Sequence, residues 1–349
     1  MLQERLICPP RPEYPFYITA KRYWLQAFEA HANDPEALTL IVLHSTSFHK
    51  ETWEPALHDL FGFVVKNGRG TVKIREAWAI DCPNHGEAAV LNEEMLMRPE
   101  YANHFSCAAY ATAVHRFLSA GPRQGPDGWT HGVDFRKRKL VGLGHSLGAN
   151  AILILQRREP IFNFSFLIIV EPMLSPLGSK PMERLRSKLV MSAYERRDVW
   201  GDASQARKTF RESQAKRWDP RVLDTFIDFG LRIHPGSRAE VAPYHGVTLA
   251  CTREQEAAMY RDTEGLLSPV EDLNHICKRK RVHLILGGKN DYIPKRVHKA
   301  IVDPSSGRIY ASTRTLEAAG HLIPQEFPEE LAAYIYDILL KEPCVIAKL

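Results

Sequence analysis

The sequence contains few cysteines, and none of them is paired at a short spacing. Its six cysteines are widely separated and include no C-x-x-C pair. Zinc sites and disulfide-stapled domains commonly carry such spacings. We therefore expect neither a disulfide framework nor a zinc site, and a reducing compartment as the protein's environment.

Long apolar runs and a strong charge of either sign are also missing. No run of about 18 apolar residues, the length needed to span a bilayer, occurs in the sequence. Residues 1–14 are polar and proline-rich where a secretory signal requires a continuous apolar stretch. The 46 basic and 41 acidic residues leave a formal net charge of +5, which is too small to indicate nucleic-acid binding. We expect no transmembrane segment, no secretory signal and no nucleic-acid partner.

Short β-rich runs alternate with helical stretches along most of the chain. This alternation is typical of a mostly parallel sheet with helices on both of its faces. A final helix is expected from Pro328 onward, where apolar side chains recur at helical spacing. The predicted strands are residues 38–43, 77–80, 140–143, 166–170 and 282–286.

The alternation stops between residue 175 and about residue 270, where the sequence becomes helical and rich in charge. Because the strand pattern resumes afterwards, we interpret this segment as a helical lid inserted into the core. The expected organisation is a first core part at 1–174, a lid at 175–270, and a second core part with a targeting tail at 271–349.

The strongest motif is Gly144-His145-Ser146-Leu147-Gly148, which follows a predicted strand and precedes a helix-forming stretch. A G-x-S-x-G sequence in this context is a nucleophile elbow, in which the serine lies on a strained turn. The flanking positions need glycine because a side chain there would collide with the strand and the helix. We predict Ser146 as a nucleophile and the backbone N–H of Leu147 as one donor of an oxyanion hole.

A serine hydroxyl requires a base within hydrogen-bond reach. The candidate is His321, which lies late in the chain on a loop before the last helix. A second oxyanion donor is expected from the loop after an early strand, and we choose the N–H of Thr46. His44, in the same loop, is interpreted as a structural histidine.

Together these motifs resemble the α/β-hydrolase superfamily over essentially the whole chain. His44-Ser45-Thr46 stands where the family has His-Gly-x, with Trp53 at the expected distance, and residues 81–86, Asp-Cys-Pro-Asn-His-Gly, resemble its Asp-x-Pro-x-His-Gly loop. The serine at position 45 departs from the family's glycine. The resemblance implies an α/β-hydrolase fold and a serine hydrolase with a Ser-His-acid triad, which needs no metal or other cofactor.

Two residues are candidates for the triad acid. The family's acid loop corresponds to residues 287–294, where Asn290 stands at the expected position and Asp291 is displaced by one residue. Glu171 instead follows an apolar strand at the sheet edge where open α/β sheets carry their sites. A carboxylate there is costly unless something pairs with it. We favour Glu171 and keep Asp291 as the alternative acid.

The chain also resembles a narrower group, the fungal peroxisomal hydrolases. The resemblance lies in residues 218–224, Trp-Asp-Pro-Arg-Val-Leu-Asp, and in Gly230. The last three residues, Ala347, Lys348 and Leu349, have the chemical pattern of the S-K-L peroxisomal address. We expect a peroxisomal matrix protein whose tail binds the import receptor.

The implied reaction is hydrolysis of a small-molecule acyl ester or acyl-CoA thioester through an acyl-enzyme. Lipase or carboxylesterase activity on lipid or secondary-metabolite esters is the alternative, and a non-turnover ligand receptor on the same fold is a further one. Four basic lid side chains are candidates for contact with coenzyme A phosphates, namely Arg186, Arg196, Arg197 and Lys208.

Overall fold

A computed structural model describes residues 1–67, 72–121 and 130–342. Ala347, Lys348 and Leu349, on which the targeting prediction rests, lie outside the described residues.

Within the described part of the chain, eight strands form one sheet. In spatial order the strands are β1 (Leu2–Cys8), β2 (Ile18–Trp24), β4 (Ile74–Ile80), β3 (Leu38–Leu43), β5 (Lys139–His145), β6 (Phe164–Val170), β10 (Arg281–Gly287) and β11 (Ser312–Leu316). The first two strands of the chain, β1 and β2, form an antiparallel hairpin, and β2 also pairs antiparallel with β4. All the other strand pairs are parallel.

The parallel strands end at one edge of the sheet. Leu43 pairs with both Ile80 and Gly144, and Val170 pairs with both His145 and Ile285. The carboxyl ends of β3, β4, β5, β6 and β10 therefore lie side by side. This is the edge at which open α/β sheets carry their sites.

The sheet is covered by helices on both faces because the central strands are apolar on both sides. On β3, Leu40 and Val42 belong to one hydrophobic cluster, while Ile41 and Leu43 belong to the other. One face packs against α1 (Glu54–Asn67) and α13 (Pro328–Lys341), and the opposite face against α4 (Cys107–Ser119), α5 (Leu147–Leu155) and α10 (Glu264–Ile276).

Shorter helices complete the core. They are α2 (Gly86–Leu91), α3 (Glu93–Leu96), α11 (Lys295–Ile301) and α12 (Ile323–Glu326).

A long insertion separates β6 from β10 and places a second layer beside the strand ends. It contains α6 (Lys180–Glu195), α7 (Ala203–Arg211), α8 (Pro220–Phe229) and α9 (Arg253–Arg261), together with a three-stranded antiparallel sheet of β7 (Val199–Trp200), β9 (Val247–Leu249) and β8 (Leu231–Ile233). An aromatic cluster that includes Phe48, Trp200 and Phe226 ties this insertion to the loop after β3.

Two features of the insertion differ from the sequence expectation. It is not purely helical, because it also contains the strands β7, β8 and β9. These strands are only two or three residues long, so the sequence shows no periodic pattern for them. The expected boundary at residue 270 also falls inside α10, a helix that packs on the core helix α5. We assign α10 to the core and propose that the lid spans residues 175–263.

All five predicted strands and the final helix are present, the helix starting at Pro328. Strands β1, β2 and β11 were not predicted. In β1 the first four residues are exposed, so its sequence carries little hydrophobic signal. Strand β11 is exposed or half-buried throughout.

No helix in residues 1–67, 72–121 and 130–342 is long and apolar enough to cross a membrane. Over the same residues, no group of three or more histidine, cysteine or acidic side chains is arranged to hold a metal ion. Four cysteines in this part of the chain are free thiols, namely Cys82, Cys107, Cys251 and Cys277.

Candidate active site

Ser146 lies on the turn between β5 and α5, with a φ of 55°. A positive φ is strained for a residue with a side chain. The turn is held because the Ser146 N–H donates to the carbonyl of Val170, at 3.0 Å. The side chain is thereby fixed at the carboxyl edge of the sheet and at the start of a helix, whose free N–H groups favour negative charge.

The glycines on either side of Ser146 are required by close backbone contacts. A Cβ on Gly144 would lie 2.6 Å from the backbone N of Ala149, and one on Gly148 would lie 2.4 Å from the carbonyl oxygen of Leu43. Both distances are below any normal van der Waals contact. The elbow can therefore turn this tightly only with glycine at both positions.

The structure brings Ser146, His321 and Glu171 together although they are far apart in sequence. The Ser146 Oγ lies 2.9 Å from Nε2 of His321, and Nδ1 of His321 lies 3.1 Å from Oε2 of Glu171. If Nδ1 carries the hydrogen that Glu171 accepts, Nε2 is free to accept the serine proton. This is the order of contacts that a serine nucleophile needs.

Glu171 is almost completely buried, with 1% of the residue exposed. Burial by itself would raise the pKa of its carboxyl group, but the hydrogen bonds from His298 and His321 outweigh burial and lower the pKa to about 2. Its Oε1 also accepts the N–H of Gly287, at 2.6 Å. The carboxylate is therefore ionised at neutral pH and held from three sides.

Asp291, the alternative acid, contacts the backbone of the loop that carries His321, here called the histidine loop. Its Oδ1 accepts the N–H of His321 at 2.9 Å, and its Oδ2 lies 3.8 Å from Arg217 of the insertion. The acid beside the imidazole Nδ1 is Glu171.

The loop after β3 lies next to the elbow, since a Cβ on Gly148 would lie 2.5 Å from the carbonyl oxygen of His44. The role of Thr46 as an oxyanion donor stays a prediction. No acceptor engages the backbone N–H of Thr46 or of Leu147 among the contacts of the described chain, so both amides are available to a ligand. His44 is buried and shapes this loop: Nε2 accepts the N–H of Cys82 at 3.0 Å, and Nδ1 donates to the carbonyl of Ser45 at 2.8 Å. Burial lowers the pKa of His44 to about 4, so its ring is neutral.

Ser47 connects this loop to the insertion, and no sequence motif singles it out. Its φ is 74°, and its N–H donates to Nε2 of His85 at 3.0 Å. The Ser47 hydroxyl donates to the buried carboxylate of Glu256 on α9 and lies 2.9 Å from the hydroxyl of Tyr260. Glu256 is in turn paired with Arg196, at 2.6 Å.

Two further histidines at the site were not predicted. His145, inside the elbow motif, has its Nε2 2.8 Å from the carbonyl oxygen of His321, and burial lowers its pKa to about 3. His298, on α11, has its Nε2 3.3 Å from Oε2 of Glu171. Among 15 histidines, no local pattern distinguishes His298; only its place shortly after the 287–294 loop could have drawn attention to it.

A cavity of about 640 Å³ lies between this site and the insertion. The loop after β3 borders it through Thr46, and the loop that carries His321 borders it through Leu322. Aromatic side chains line it, including Phe48, Trp200, Phe210 and Trp218. Exposed basic side chains line it as well, including Lys188, Arg197 and Lys216.

Of the four basic lid residues proposed from sequence, Arg196 and Arg197 line this cavity. Arg186 instead donates to the backbone carbonyls of Tyr260 and Arg261, and Lys208 is not part of the cavity wall.

The arrangement can carry out nucleophilic acyl transfer. It combines a hydroxyl on a strained turn, an imidazole beside it, a buried carboxylate behind the imidazole, and the backbone N–H of the next residue, Leu147.

Sequence relatives carry hydrolase names. The chain is 27% identical over 206 residues to the type I acyl-CoA thioesterase mpaH of Penicillium roqueforti, a match that covers 57% of this chain and 41% of that protein. It is 25% identical over 232 residues to the abhydrolase domain-containing protein AFT2-1 of Alternaria alternata, covering 60% of this chain and 86% of that protein.

Solved structures share the fold over nearly the full length. The peroxisomal alpha-beta-hydrolase Lpx1 of Saccharomyces cerevisiae superimposes with a TM-score of 0.70 at 21% identity, covering 100% of this chain and 93% of that one. The thioesterase domain from the curacin biosynthetic pathway gives a TM-score of 0.64 at 14% identity, covering 98% and 100%. Both likenesses concern the fold, which is the one expected from the sequence.

A sequence profile of the alpha/beta hydrolase family matches residues 40–334. This range extends from the middle of β3 to the last helix and includes the elbow, the insertion and the histidine loop. The chain belongs to the alpha/beta hydrolase family.

Proposed function

We propose that the chain is a serine hydrolase that cleaves an acyl ester or acyl-CoA thioester through an acyl-enzyme intermediate. The observation that carries the proposal is the continuous contact from Ser146 Oγ through the His321 ring to Glu171, at 2.9 and 3.1 Å. Hydrolase and thioesterase relatives support the same reaction class.

In the acylation step, Ser146 Oγ attacks the carbonyl carbon while its proton moves to Nε2 of His321. The N–H groups of Leu147 and Thr46 stabilise the oxyanion that forms on the carbonyl oxygen. Glu171 stabilises the imidazolium and keeps Nδ1 protonated. As the tetrahedral intermediate collapses, Nε2 gives its proton to the departing alkoxide or thiolate.

In the deacylation step, a water molecule takes the position of the leaving group. His321 removes its proton as the water oxygen attacks the acyl carbonyl. The bond to Ser146 Oγ then breaks, the serine recovers its proton from the imidazolium, and a carboxylic acid leaves. No redox change and no co-reactant other than water is required.

The cavity supports an amphipathic acyl substrate. Its aromatic wall offers apolar surface for an acyl group, and burying such surface stabilises binding by about 25 cal/mol per Å². Lys188, Arg197 and Lys216 present positive charge at the same cavity, which favours a leaving group that carries phosphates. This favours an acyl-CoA thioester over a neutral ester.

Two alternatives remain within the same site. A lipase or carboxylesterase acting on lipid or secondary-metabolite esters would use the aromatic wall without the basic side chains. A non-turnover receptor would bind a ligand under the lid without cleaving it. The second is disfavoured because Ser146, His321 and Glu171 are in hydrogen-bond contact, and a receptor has no need of that alignment.

We also propose a peroxisomal matrix location, with Ala347, Lys348 and Leu349 bound by the import receptor. Support comes from the chemistry of this tripeptide and from the peroxisomal description of the yeast protein Lpx1. A fluorescent protein fused in front of residues 340–349 should enter peroxisomes. A version that lacks the last three residues should stay in the cytosol.

The direct test of the nucleophile is labelling with a fluorophosphonate probe. The wild-type protein should be labelled, and Ser146→Ala should not. As a matched control, Ser175→Ala removes a hydroxyl outside the contacts described above and should retain labelling. Persistent labelling of Ser146→Ala would exclude Ser146 as the nucleophile.

A substrate panel separates the reaction classes. We expect higher kcat/KM for acyl-CoA thioesters than for glycerides or simple esters of the same acyl group. A preference for glycerides would favour the lipase reading. Labelling without turnover of any substrate, combined with ligand-induced thermal stabilisation, would favour a receptor.

A further inference from the structure

The carboxylate of Glu171 serves two histidines rather than one. Its Oε2 lies 3.1 Å from Nδ1 of His321 and 3.3 Å from Nε2 of His298. The two rings come from different elements, the loop after β11 and helix α11. The side chain of His298 is 12% exposed and that of Glu171 is 1% exposed, so the second contact is largely shielded from water.

This geometry fixes the hydrogen on each ring. An ionised carboxylate only accepts hydrogen bonds, so both Nδ1 of His321 and Nε2 of His298 must carry hydrogens to bond to it. A neutral His298 therefore has an unprotonated Nδ1. Protonation at that nitrogen converts His298 into a cation that competes with His321 for the same carboxylate oxygen.

We propose that His298 is a positioning residue that holds Glu171 and, through its own protonation, shapes the pH dependence of Ser146 reactivity. The proposal rests on the proposed function, in which His321 becomes a cation in the transition state. With His298 neutral, Glu171 gives its full charge to His321. With His298 protonated, two cations share one carboxylate, so the His321 imidazolium is less stable and Ser146 reacts more slowly.

Other charged or titratable groups lie on the elements around the pair. From the loop before α11, Asp291 accepts the N–H of His321, and from the insertion Arg217 pairs with Glu326 at 2.9 Å. On β5, His145 stays neutral because burial lowers its pKa to about 3. Further groups are Tyr292, whose ring lies 5.4 Å from that of His321, and three exposed cations on α11 itself, namely Lys295, Arg296 and Lys299.

The test measures the rate of inactivation by a fluorophosphonate probe from about pH 5 to 9, a range that spans histidine titration. The probe reports Ser146 reactivity and needs no knowledge of the natural substrate. The variants are His298→Gln, which keeps an N–H donor but cannot titrate, and His298→Ala, which removes the donor. Lys299→Gln is the matched control, since it removes an exposed cation from the same helix. Thermal melting verifies that each variant is folded.

In wild type, the inactivation rate should fall in two shallow steps on the acid side of the pH profile, because protonation of either histidine opposes protonation of the other. In His298→Gln, it should fall in a single step, with a slope of one in a plot of log rate against pH. His298→Ala should lower the rate at high pH by about tenfold, the effect of losing one hydrogen bond to a charged group, and His298→Gln should recover most of it. Lys299→Gln should follow wild type.

Profiles of His298→Gln and His298→Ala that both superimpose on wild type would overturn the assignment of His298. If one variant does not fold, the other is sufficient for the test. A folded variant whose inactivation rate depends on acidic pH as in wild type would contradict the proposal. Failure of the proposed function has a different signature, since wild type itself would then not react with the probe.

Discussion

Replacing Glu171 by glutamine tests the electrostatic role proposed for this residue. Glu171→Gln preserves the size of the side chain and removes its negative charge, so the imidazolium of His321 loses its counter-charge. We expect kcat to fall by about 10³-fold. Asp291→Asn should lower kcat by less than about fivefold, because its carbonyl oxygen can still accept the N–H of His321.

The magnitude follows from the contact distance. Oε2 of Glu171 lies 3.1 Å from Nδ1 of His321, and an ion pair at this distance is worth about 5 kcal/mol at an effective dielectric constant of about 20. A neutral ring already gains about 1.5 kcal/mol from its hydrogen bond to the carboxylate. The difference of about 4 kcal/mol appears only when the ring is protonated, and it corresponds to about three decades in rate.

The assay is steady-state hydrolysis of the best acyl substrate from the panel, with thermal melting of each variant as the control for folding. Glu171→Gln keeps one acceptor oxygen and replaces the other by an NH2 donor, so the three N–H groups around the carboxylate can no longer all be accepted. The melting temperature of this variant should therefore fall somewhat. A kcat for Glu171→Gln within tenfold of wild type, or an equal loss in Asp291→Asn, would refute the reasoning.

Three further predictions concern packing, pH and charge. Gly148→Ala should give little folded protein, because its Cβ would lie 2.4 Å from the carbonyl oxygen of Leu43. The soluble yield of this variant is compared with that of Gly62→Ala, where the added Cβ meets nothing within 4 Å. In the folded protein the pKa of Glu171 is lowered from 4.5 to about 2, so its contribution to stability is present above pH 4.5 and is lost as the pH falls towards 2. The free energy of unfolding, measured with urea, should therefore fall less on acidification in Glu171→Gln than in wild type. The double variant Lys188→Glu and Lys216→Glu should raise KM for acyl-CoA at least tenfold and leave KM for a neutral ester nearly unchanged, and equal changes for both substrates would contradict a phosphate-binding role.

Much of the core could be predicted because its signals are local. Strand β3 is apolar at five of its six positions, and the nucleophile elbow combines a strand, two glycines and a helix within a short segment. In contrast, the edge strand β1 was missed because its first four residues are exposed. The small sheet of the insertion was missed because strands of two or three residues have no measurable periodicity.

The candidate site was only partly predictable because its remaining contacts join distant parts of the chain. The sequence left Glu171 and Asp291 open as acids, since both precede His321 and both follow a strand end. His298 meets Glu171 across 127 positions, and Glu256 meets Ser47 across 209 positions. Neither residue type is unusual at its own position, so the pairing becomes visible only when the fold brings the elements together.

The bridge from Ser47 to Glu256 has a consequence for engineering. In a chimera that carries a different segment in place of residues 175–263, the Ser47 hydroxyl would lose its acceptor, Glu256. Ser47 is already strained, with a φ of 74°. Donor segments with a carboxylate at the position of Glu256 should therefore graft onto this core more readily than donors without one. Transplanted specificity would depend on that single acid as much as on the shape of the new binding wall.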